Sequence, residues 1–526
     1  MIPQTPPSRV RQDLVARREI ALIDLREEDP YAKDHPLFAA NLPLSRLELE
    51  VLDRIPRKDT PIVVYDGGEG LVARAVERLA GLGYTDVSEL ADGLIGWRLA
   101  GYELFQDANS ASKAFGELVE ARRHTPSLPA PDARALIESE PNLVVLDARR
   151  FEEFNTMSIP RGVSVPGAEL VLRARALAPD PSTTIIVNCA GRTRSIIGAQ
   201  SLINAGLPNR VVALRNGAIG WTLAGQSLEH GRTERYPDVP PEREAEARGA
   251  AREVSYRAGV RHIDARGLDD LARDADRTLY RFDVRAPEEY AAGHIKGFRS
   301  APGGQLVQET DVFAPVRGAR IVLADDRGAR ADMSASWLAQ MGWEVYVLDG
   351  GFDGPLELGP WKPTLPPIPE AAAISVEEFA DRRARGGTAV LDLAPSPAHR
   401  KGHIPDAWFA VRSRLAEAVA AIAAHDFPAV VLTSPDGVLA RFAAAEVQAL
   451  TGKPALVLAG GTAAWVAADK PLEAGLPRPA SEPDDIYRRP YEGTDHAASA
   501  MQAYLDWEFG LVEQLRRDGT HGFHVI

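Results

Sequence analysis

The chain has 526 residues, 45% of them hydrophobic and 25% charged, which is too many for one core and predicts three to five globular domains. A formal net charge of −14 without a cluster of basic residues argues against nucleic acid as a partner. The single cysteine, Cys189, excludes an internal disulfide and a cysteine-rich metal site.

The chain start lacks an apolar signal-peptide core, and no later stretch has the roughly 20 consecutive apolar residues that span a bilayer. We therefore predict a cytoplasmic protein that does not bind a membrane. No motif indicates a cofactor or a resident metal. His521 and His524 lie near the end of the chain, and two histidines at this spacing more often belong to a solvated or packed tail than to a metal site.

Four units of one pattern follow each other along the chain. Each opens with an apolar strand ending in aspartate, and in three units arginine stands two residues later; these residues are Asp24 and Arg26, Asp147 and Arg149, Asp283 and Arg285, and Asp392 alone. A second apolar strand leads through a loop into a helix-period segment. A third strand ends in a glycine turn before an aromatic residue, at Trp97, Trp221, Phe352 and Trp465. Short apolar strands alternating with amphipathic helices predict α/β units with a central parallel sheet flanked by helices.

The closing aromatic residues recur about every 110 to 130 residues, so each unit is long enough to bury its own core. Proline-rich stretches between them predict the boundaries. We place the four units at residues 1–110, 125–230, 255–360 and 372–475, followed by a C-terminal tail at 476–526. Apolar residues at helical spacings predict a docking helix over 497–517.

The order of strand, loop and aromatic residue, the Asp-x-Arg pairs, and Gly-His-Ile at 293–295 and 402–404 resemble the rhodanese family of sulfurtransferases. The resemblance covers roughly residues 15 to 475. Unit two departs from it by reading Met-Ser-Ile-Pro at 157–160, and unit one has no clear counterpart there. The resemblance implies four tandem rhodanese-like domains.

Cys189 follows the second strand of unit two and precedes a helix, in the segment Cys-Ala-Gly-Arg-Thr-Arg-Ser at 189–195. A lone cysteine is commonly a small buried hydrophobe, but a strand-to-helix turn surrounds this one with backbone amides, a helix N-terminus and two arginines. Such surroundings lower a cysteine pKa, so we expect Cys189 to be largely ionised at neutral pH.

We predict Cys189 and Arg194 as catalytic residues. The predicted substrate-binding residues are the rest of the loop and the two arginines after the first strand, namely Ala190, Gly191, Arg192, Thr193, Ser195, Arg149 and Arg150. Two alternatives stay open at this point. Arg149 matches the Asp-x-Arg pattern and fits a structural pair with Asp147 better than a binding role, and the loop arginines also fit solvated surface charges.

The resemblance implies that Cys189 takes the outer sulfur of a donor, holds it as a persulfide and passes it to cyanide or a thiol. The six residues from Cys189 to Arg194 resemble the sulfurtransferase loop, whereas phosphatases and arsenate reductases of this fold have a longer one. Two arginines favour a dianionic donor such as thiosulfate over 3-mercaptopyruvate. A 3-mercaptopyruvate sulfurtransferase, a persulfide carrier that supplies a protein acceptor, and a homodimer stay open as alternatives.

The position of Cys189 is taken by Asp66 in unit one, Asp325 in unit three and Ser434 in unit four. Neither a carboxylate nor an ordinary hydroxyl forms a persulfide, so we predict that these three units are inactive. Arg330 is predicted to pair with Asp325 or Asp326. Because two-domain rhodaneses place a silent unit beside a catalytic one, the resemblance implies that units one and two pair in this way.

Overall fold

The computed structural model describes residues 2–423, 425, 427–493 and 495–526. Unit one contains strands β1 (Gln4–Thr5), β2 (Ile20–Asp24), β3 (Ala40–Asn41), β4 (Ile62–Tyr65) and β5 (Val87–Leu90), and helices α1 (Pro7–Val15), α2 (Glu28–Lys33), α3 (Leu47–Arg54), α4 (Val72–Gly81) and α5 (Gly93–Leu99). Its strands pair in parallel in the order β1-β5-β4-β2-β3. Helix α6 (Ser110–Arg123) leads to unit two.

Unit two repeats this order as β6-β10-β9-β7-β8. Its elements are β6 (Ser127–Leu128), α7 (Ala130–Ser139), β7 (Leu143–Asp147), α8 (Phe151–Thr156), β8 (Gly162–Ser164), α9 (Leu170–Leu177), β9 (Thr184–Asn188), α10 (Thr193–Asn204), β10 (Val211–Leu214) and α11 (Gly217–Leu223). Helix α12 (Pro241–Arg257) joins it to unit three. The carboxyl ends of β7 and β9, neighbours in the sheet, therefore lie side by side.

Unit three has the order β11-β16-β15-β12-β13. Its elements are β11 (Arg261–Ile263), α13 (Ala265–Arg273), β12 (Leu279–Asp283), α14 (Pro287–Ala292), β13 (Arg299–Ser300), α15 (Gly303–Gln308), α16 (Thr310–Phe313), β14 (Val316–Arg317), β15 (Arg320–Ala324), α17 (Ala329–Gln340) and β16 (Glu344–Leu348). Strand β14 leaves this sheet and pairs antiparallel with β2 of unit one.

Unit four has the order β17-β21-β20-β18-β19. Its elements are β17 (Ala373–Ile374), α18 (Val376–Arg385), β18 (Thr388–Asp392), α19 (Ser396–Lys401), β19 (Trp408–Phe409), α20 (Leu415–Ala423), β20 (Ala429–Thr433), α21 (Val438–Thr451), β21 (Ala455–Leu458) and α22 (Gly461–Ala467). The tail forms α23 (Ala498–Phe509) and α24 (Leu511–Asp518). The predicted fold class, four parallel-sheet α/β units with a helical tail, is confirmed.

The aspartate that ends each first strand is buried and has a partner. The Asp-x-Arg motifs of units one to three form ion pairs of 2.7 to 2.8 Å. In unit four, where the arginine is missing, His399 Nδ1 lies 2.7 Å from Asp392. A buried carboxylate without a partner is costly, so each unit supplies a compensating group.

Unit one does contain a counterpart of the Gly-His-Ile histidine. His35 stacks on Tyr31, as His294 stacks on Tyr290 in unit three. His35 also bridges to the segment after the closing aromatic residue, through Phe105, as His294 does through Glu357. The sequence pattern is obscured because aspartate and proline replace the flanking glycine and isoleucine.

The four units also make contacts with units that are not their neighbours in the sequence. Units one and three share the β2–β14 pairing and one continuous hydrophobic core. Unit two packs on unit three through α12 and α17, and unit four binds unit one through the buried Arg412–Glu48 ion pair. Ile196 of unit two belongs to the same core, so units one and two are in contact, while the edge of β2 in unit one is completed by unit three.

The tail consists of two helices that meet at Gly510, and not of one helix over 497–517. Leu511 and Leu515 of α24 enter the core of unit one, whereas Met501 and Leu505 of α23 lie against unit two. The helix is divided because its two halves bury apolar side chains on different units. No helix in the described part of the chain combines the length and the hydropathy needed to cross a membrane.

Candidate active site

The loop that carries Cys189 is held between two helices. β9 ends at Asn188 and α10 begins at Thr193, so four residues form the turn. The amides of Ala218 and Ile219 donate to the carbonyls of Cys189 and Ala190, each at 2.9 Å. The first turn of α11 thereby fixes the backbone of the nucleophile.

Gly217 permits this close approach. Its φ is +53°, in the left-handed region that favours glycine. A Cβ at this position would lie 2.4 Å from the carbonyl oxygen of Cys189. The closing turn noted in the sequence is therefore part of the site, and Trp221 beyond it is buried in the core.

The Cys189 thiol is almost completely enclosed, with 1% of its surface exposed. Burial raises its pKa, because a thiolate is poorly solvated away from water. Arg194 and the amide and hydroxyl of Ser195 act in the opposite direction, and Glu508 adds to the increase in pKa. The expectation that Cys189 is largely ionised at neutral pH is wrong for this closed arrangement, because burial outweighs the favourable neighbours.

Arg194 lies in the first turn of α10 and forms a bidentate ion pair with Glu153. Its two terminal guanidinium nitrogens lie 2.7 and 2.9 Å from the two carboxylate oxygens. Burial opposes the charge of the guanidinium, but Glu153 and the Cys189 sulfur together raise its pKa further. The carboxyl of Glu153 is also buried, yet Arg194 lowers its pKa. Arg194 is thus a fixed positive charge beside the sulfur, partly neutralised by Glu153.

Arg192 is held by helix α6. Its guanidinium donates to both carboxylate oxygens of Glu117 at 2.7 and 2.8 Å, and it also pairs with Glu120. Asn216 accepts a further bond at 3.0 Å. The alternative of a solvated charge is wrong for Arg192, since its side chain is buried. It ties the loop to α6, and its predicted role in donor binding stays a prediction.

The two arginines after the first strand differ. Arg149 is fully buried and pairs with Asp147 at 2.8 Å, while also donating to the carbonyl of Met157 at 2.6 Å. The structural alternative for Arg149 is therefore the one that the geometry supports. Arg150 is exposed and reaches Glu153 only at 3.4 Å. Donor binding by either residue stays a prediction.

The other predicted binding residues form the wall around the sulfur. Ala190 is buried and packs against the tail, and Gly191 faces the ring of Tyr504. Ser195 donates its hydroxyl to the carbonyl of Arg192 at 2.8 Å. Thr193 has a buried hydroxyl without a hydrogen-bond partner among the described residues. The structure thus brings residues 189–195 together around one point.

Helix α23 covers this loop, which sequence reasoning missed. A Cβ on Gly191 would lie 3.2 Å from the Tyr504 ring and 3.5 Å from a Glu508 carboxyl oxygen. Ala190 shares a small apolar cluster with Tyr491, Met501 and other residues of the tail. The helical spacing of the apolar tail residues predicted docking, but it carried no information about the surface on which they dock.

Glu508 is a buried carboxyl group directed at the loop. Tyr504 donates its hydroxyl to Oε1 at 2.8 Å, while Oε2 has no hydrogen-bond partner among the described residues. Burial, together with Glu117, raises the pKa of Glu508 to about 8, and Lys113, Tyr504 and Arg192 act against this increase. Glu508 is therefore mainly the neutral acid at pH 7, which removes a charge repulsion from the site.

This pKa predicts that the closed tail weakens in alkali. A carboxyl whose pKa rises from 4.5 to about 8 on closure stabilises the closed form fully below pH 4.5, and this stability is lost as the pH rises through 8. The groups facing Glu508 are Lys113, Glu117, Arg192, Tyr504 and the Cys189 thiol. Between about pH 5 and pH 8, alkylation of Cys189 by iodoacetamide should therefore accelerate more steeply than thiol ionisation alone allows, and above pH 8 this extra steepness should end.

The variant Glu508→Gln should lose this extra steepness and keep only the part due to the thiol. Glu513→Gln, on the exposed face of α24, is the matched control and should behave as the wild type. Identical pH profiles for Glu508→Gln and the wild type would show that Glu508 does not control closure.

In the other units the loop amides bind groups of the loop itself. Asp66 accepts from the amides of Gly68 and Leu71 at 2.9 and 2.6 Å. Asp325 accepts from the amides of Arg327, Arg330 and Ala331 at 2.8 to 3.3 Å, and Ser434 Oγ from Ala440 at 3.3 Å. The carboxylates of Asp66 and Asp325 thus occupy amide donors that would otherwise face a bound anion.

The predicted pairing of Arg330 is confirmed and is more extensive than expected. Its guanidinium lies 2.9 Å from Asp325 and 2.7 Å from Asp326. It also pairs with Glu169 of unit two and with Glu289. Arg330 therefore contributes to the interface between units two and three. The inactivity of units one, three and four stays a prediction.

Comparison with known proteins identifies the repeated unit. The model of the rhodanese-like domain matches four segments, at residues 8–100, 130–224, 267–356 and 375–468. The chain belongs to the rhodanese-like family. This confirms the resemblance inferred from its motifs, and the tail with α23 and α24 lies outside the four rhodanese-like segments.

Two kinds of rhodanese-like relative are informative. The crystal structure of the thiosulfate sulfurtransferase from Pseudomonas aeruginosa is 60% identical, covers 100% of both chains and superposes with a TM-score of 0.98. The thiosulfate sulfurtransferase GlpE of Ectopseudomonas mendocina is 35% identical over 88 residues, which are 16% of this chain and 71% of that protein. GlpE of Pseudomonas paraeruginosa is 35% identical over 75 residues, 14% of this chain and 64% of its own length.

Proposed function

We propose that this protein is a thiosulfate sulfurtransferase in which Cys189 carries the transferred sulfur. The observation that supports this most directly is the placement of the single cysteine at the end of β9, on a loop that runs into α10 with Arg194 beside the sulfur. The likeness to the thiosulfate sulfurtransferase of Pseudomonas aeruginosa over the whole chain supports the same reaction.

In the first step the Cys189 thiolate attacks the outer sulfur of thiosulfate. A bond forms between the two sulfur atoms, the S–S bond of thiosulfate breaks, and the electron pair leaves with sulfite. The thiolate is the attacking species, so its proton must first be lost to solvent. Arg194 stabilises both the thiolate and the negative charge that develops on the leaving group.

In the second step a nucleophile removes the outer sulfur from the Cys189 persulfide. Cyanide would leave as thiocyanate, and a thiolate would leave as its own persulfide. In both cases the S–S bond breaks and the electron pair returns to Cys189, which restores the enzyme. No redox cofactor is needed because sulfur is transferred without net oxidation.

The closed tail requires an opening step. Cys189 is only 1% exposed while Tyr504 and Glu508 lie on the loop, which leaves no accessible surface at the sulfur for a dianion. Donor binding therefore needs displacement of α23, after which the amides and Arg194 face solvent. Opening also re-solvates the sulfur, which lowers the thiol pKa towards the value that catalysis needs.

A persulfide carrier that delivers sulfur to a protein acceptor is the second candidate. The enclosed sulfur favours it, because a buried persulfide is protected from loss to small molecules. Slow discharge by small thiols together with fast discharge by one protein would support the carrier. We further propose a cytoplasmic location, where thiols stay reduced.

The deciding experiment uses the full chain and mass spectrometry. After incubation with thiosulfate, the wild-type mass should increase by one sulfur atom, located on Cys189, with release of sulfite. Cyanide should then remove the sulfur as thiocyanate. Cys189→Ser should show neither event, and a wild-type protein that takes up no sulfur from thiosulfate would refute the proposal.

A further inference from the structure

A cavity of about 190 Å³ lies beside the Cys189 loop, between unit two and the tail. Ala190, Ile219 and Leu228 of unit two line it together with Tyr491 and Met501 of the tail. The wall is thus mainly apolar. Its volume is below that of a typical drug-sized site, which limits it to a small ligand.

Residues that line the cavity also hold the backbone of Cys189 in place. Ala218 and Ile219, which line it, are the residues whose amides hold the carbonyls of Cys189 and Ala190. Ala190, the next residue after Cys189, lines it directly. A ligand in the cavity therefore lies one residue from the sulfur-bearing side chain.

Two polar groups in the cavity lack partners for accepting hydrogen bonds. Gln226 is only 8% exposed, and its Oε1 has no hydrogen-bond partner among the described residues. The Nδ1 of His230 lies 2.7 Å from the carbonyl of Thr156, so in the neutral ring Nδ1 donates and Nε2 is left as an acceptor. A buried acceptor is nearly always paired, so Gln226 Oε1 indicates a ligand with an N–H or O–H donor, whereas His230 is exposed and its Nε2 faces solvent.

The charge of the cavity distinguishes between the two substrates. None of its described lining residues is an arginine, lysine, aspartate or glutamate. A thiosulfate dianion placed here would lose its hydration without gaining an ion pair. The cavity is therefore unsuited to the donor and suited to an uncharged molecule.

We propose that this cavity binds the sulfur acceptor, a small uncharged thiol that carries an amide N–H, whereas the donor binds at the Cys189 loop. This inference rests on the proposed function. The acceptor loses its thiol proton to water and attacks the outer sulfur of the Cys189 persulfide. The S–S bond breaks, the electron pair returns to Cys189, and the acceptor leaves as a persulfide.

The tail then has a role in acceptor choice. Tyr491 and Met501 lie outside the four rhodanese-like segments, so a single rhodanese-like unit lacks this wall. The tail encloses the sulfur and at the same time shapes the space for the acceptor. Selectivity for the acceptor is therefore a property of the full chain.

The test separates the two half-reactions. Full-length protein is loaded with thiosulfate, freed of excess donor and discharged either with N-acetylcysteamine, a neutral amide thiol, or with cyanide, which makes no use of the cavity. Gln226→Leu should slow discharge by N-acetylcysteamine about tenfold, the usual cost of one lost hydrogen bond. Loading and cyanide discharge should stay unchanged, and Gln448→Leu, on the exposed face of α21, should match the wild type in all three.

Equal discharge by N-acetylcysteamine in Gln226→Leu and the wild type would overturn the assignment, as would an equal slowing with both acceptors. A second measurement does not depend on activity. Saturation-transfer NMR should detect the S-methyl derivative of N-acetylcysteamine on the unloaded wild type and not on Gln226→Leu. If the wild type takes up no sulfur, the proposed function fails, and the NMR result still decides whether the cavity binds the amide thiol.

Discussion

Replacing Tyr504 and Leu505 together by alanine should accelerate alkylation of Cys189 by about 100-fold. Both side chains belong to the apolar cluster in which α23 packs against Ala190. The Tyr504 hydroxyl also donates a hydrogen bond to Glu508. Truncations of this kind weaken packing by about 3 kcal/mol or more, and about 1.4 kcal/mol corresponds to a tenfold change in the open population. Because alkylation occurs only in the open state, its rate follows that population.

The measurement is the rate of reaction with iodoacetamide at a fixed pH, which reports one site because the chain has one cysteine. Gln502→Ala, on the exposed face of α23, is the matched control and should leave the rate unchanged. A thermal unfolding curve for each variant verifies that the units stay folded. An unchanged rate in the double variant would mean that the tail does not limit access to the sulfur.

Replacing Arg194 by methionine should slow sulfur uptake from thiosulfate by about 100-fold, the effect typical of removing one preorganised group from a site of developing negative charge. Arg194 favours the Cys189 thiolate, so its removal should also raise the thiol pKa. The pKa is read from the pH dependence of alkylation, and uptake from the rate of sulfite release. These two readouts should change in the same variant.

Glu153 provides the internal control for this prediction. Arg194→Met leaves the half-buried Glu153 carboxylate with only the exposed Arg150 as a partner, which destabilises the fold as well as the site. Glu153→Gln should instead lower the Cys189 pKa, since the charge of Arg194 is no longer neutralised. The double variant should recover stability and keep the slow uptake. Fast uptake in the double variant would show that Arg194 acts through folding and not through its charge.

The repeated unit could be predicted because its signals are local. The aspartate ending each first strand, the glycine turn and the closing aromatic residue recur in sequence. Each reflects a requirement within a single unit, such as the close approach of Gly217 to Cys189. The position of Cys189 at the end of a strand could also be predicted from the sequence. Local signals also indicated which units lack the nucleophile, at Asp66, Asp325 and Ser434.

The partners of the loop arginines could not be predicted, because they come from distant segments. Arg192 pairs with Glu117, which lies 75 positions earlier on α6, and Arg194 pairs with Glu153, 41 positions earlier. No spacing rule connects such residues until the chain is folded. The sequence therefore indicated a candidate loop but not the partners of its arginines.

By itself, the sequence determined that this protein has four α/β units, a single cysteine at the end of a strand, and a helical tail. Only the tertiary structure decided that β14 of unit three completes the sheet of unit one, that α23 covers the Cys189 loop, and that the resting thiol is favoured over the thiolate. The periodicity of helices and strands and the residues of turns depend on a few neighbouring positions, so they can be recognised in the local sequence. The ionisation of Cys189 is instead a balance between burial in the folded protein, the charge of Arg194 and the charge of Glu508, which lies more than 300 residues away. That balance exists only when these groups surround the same atom.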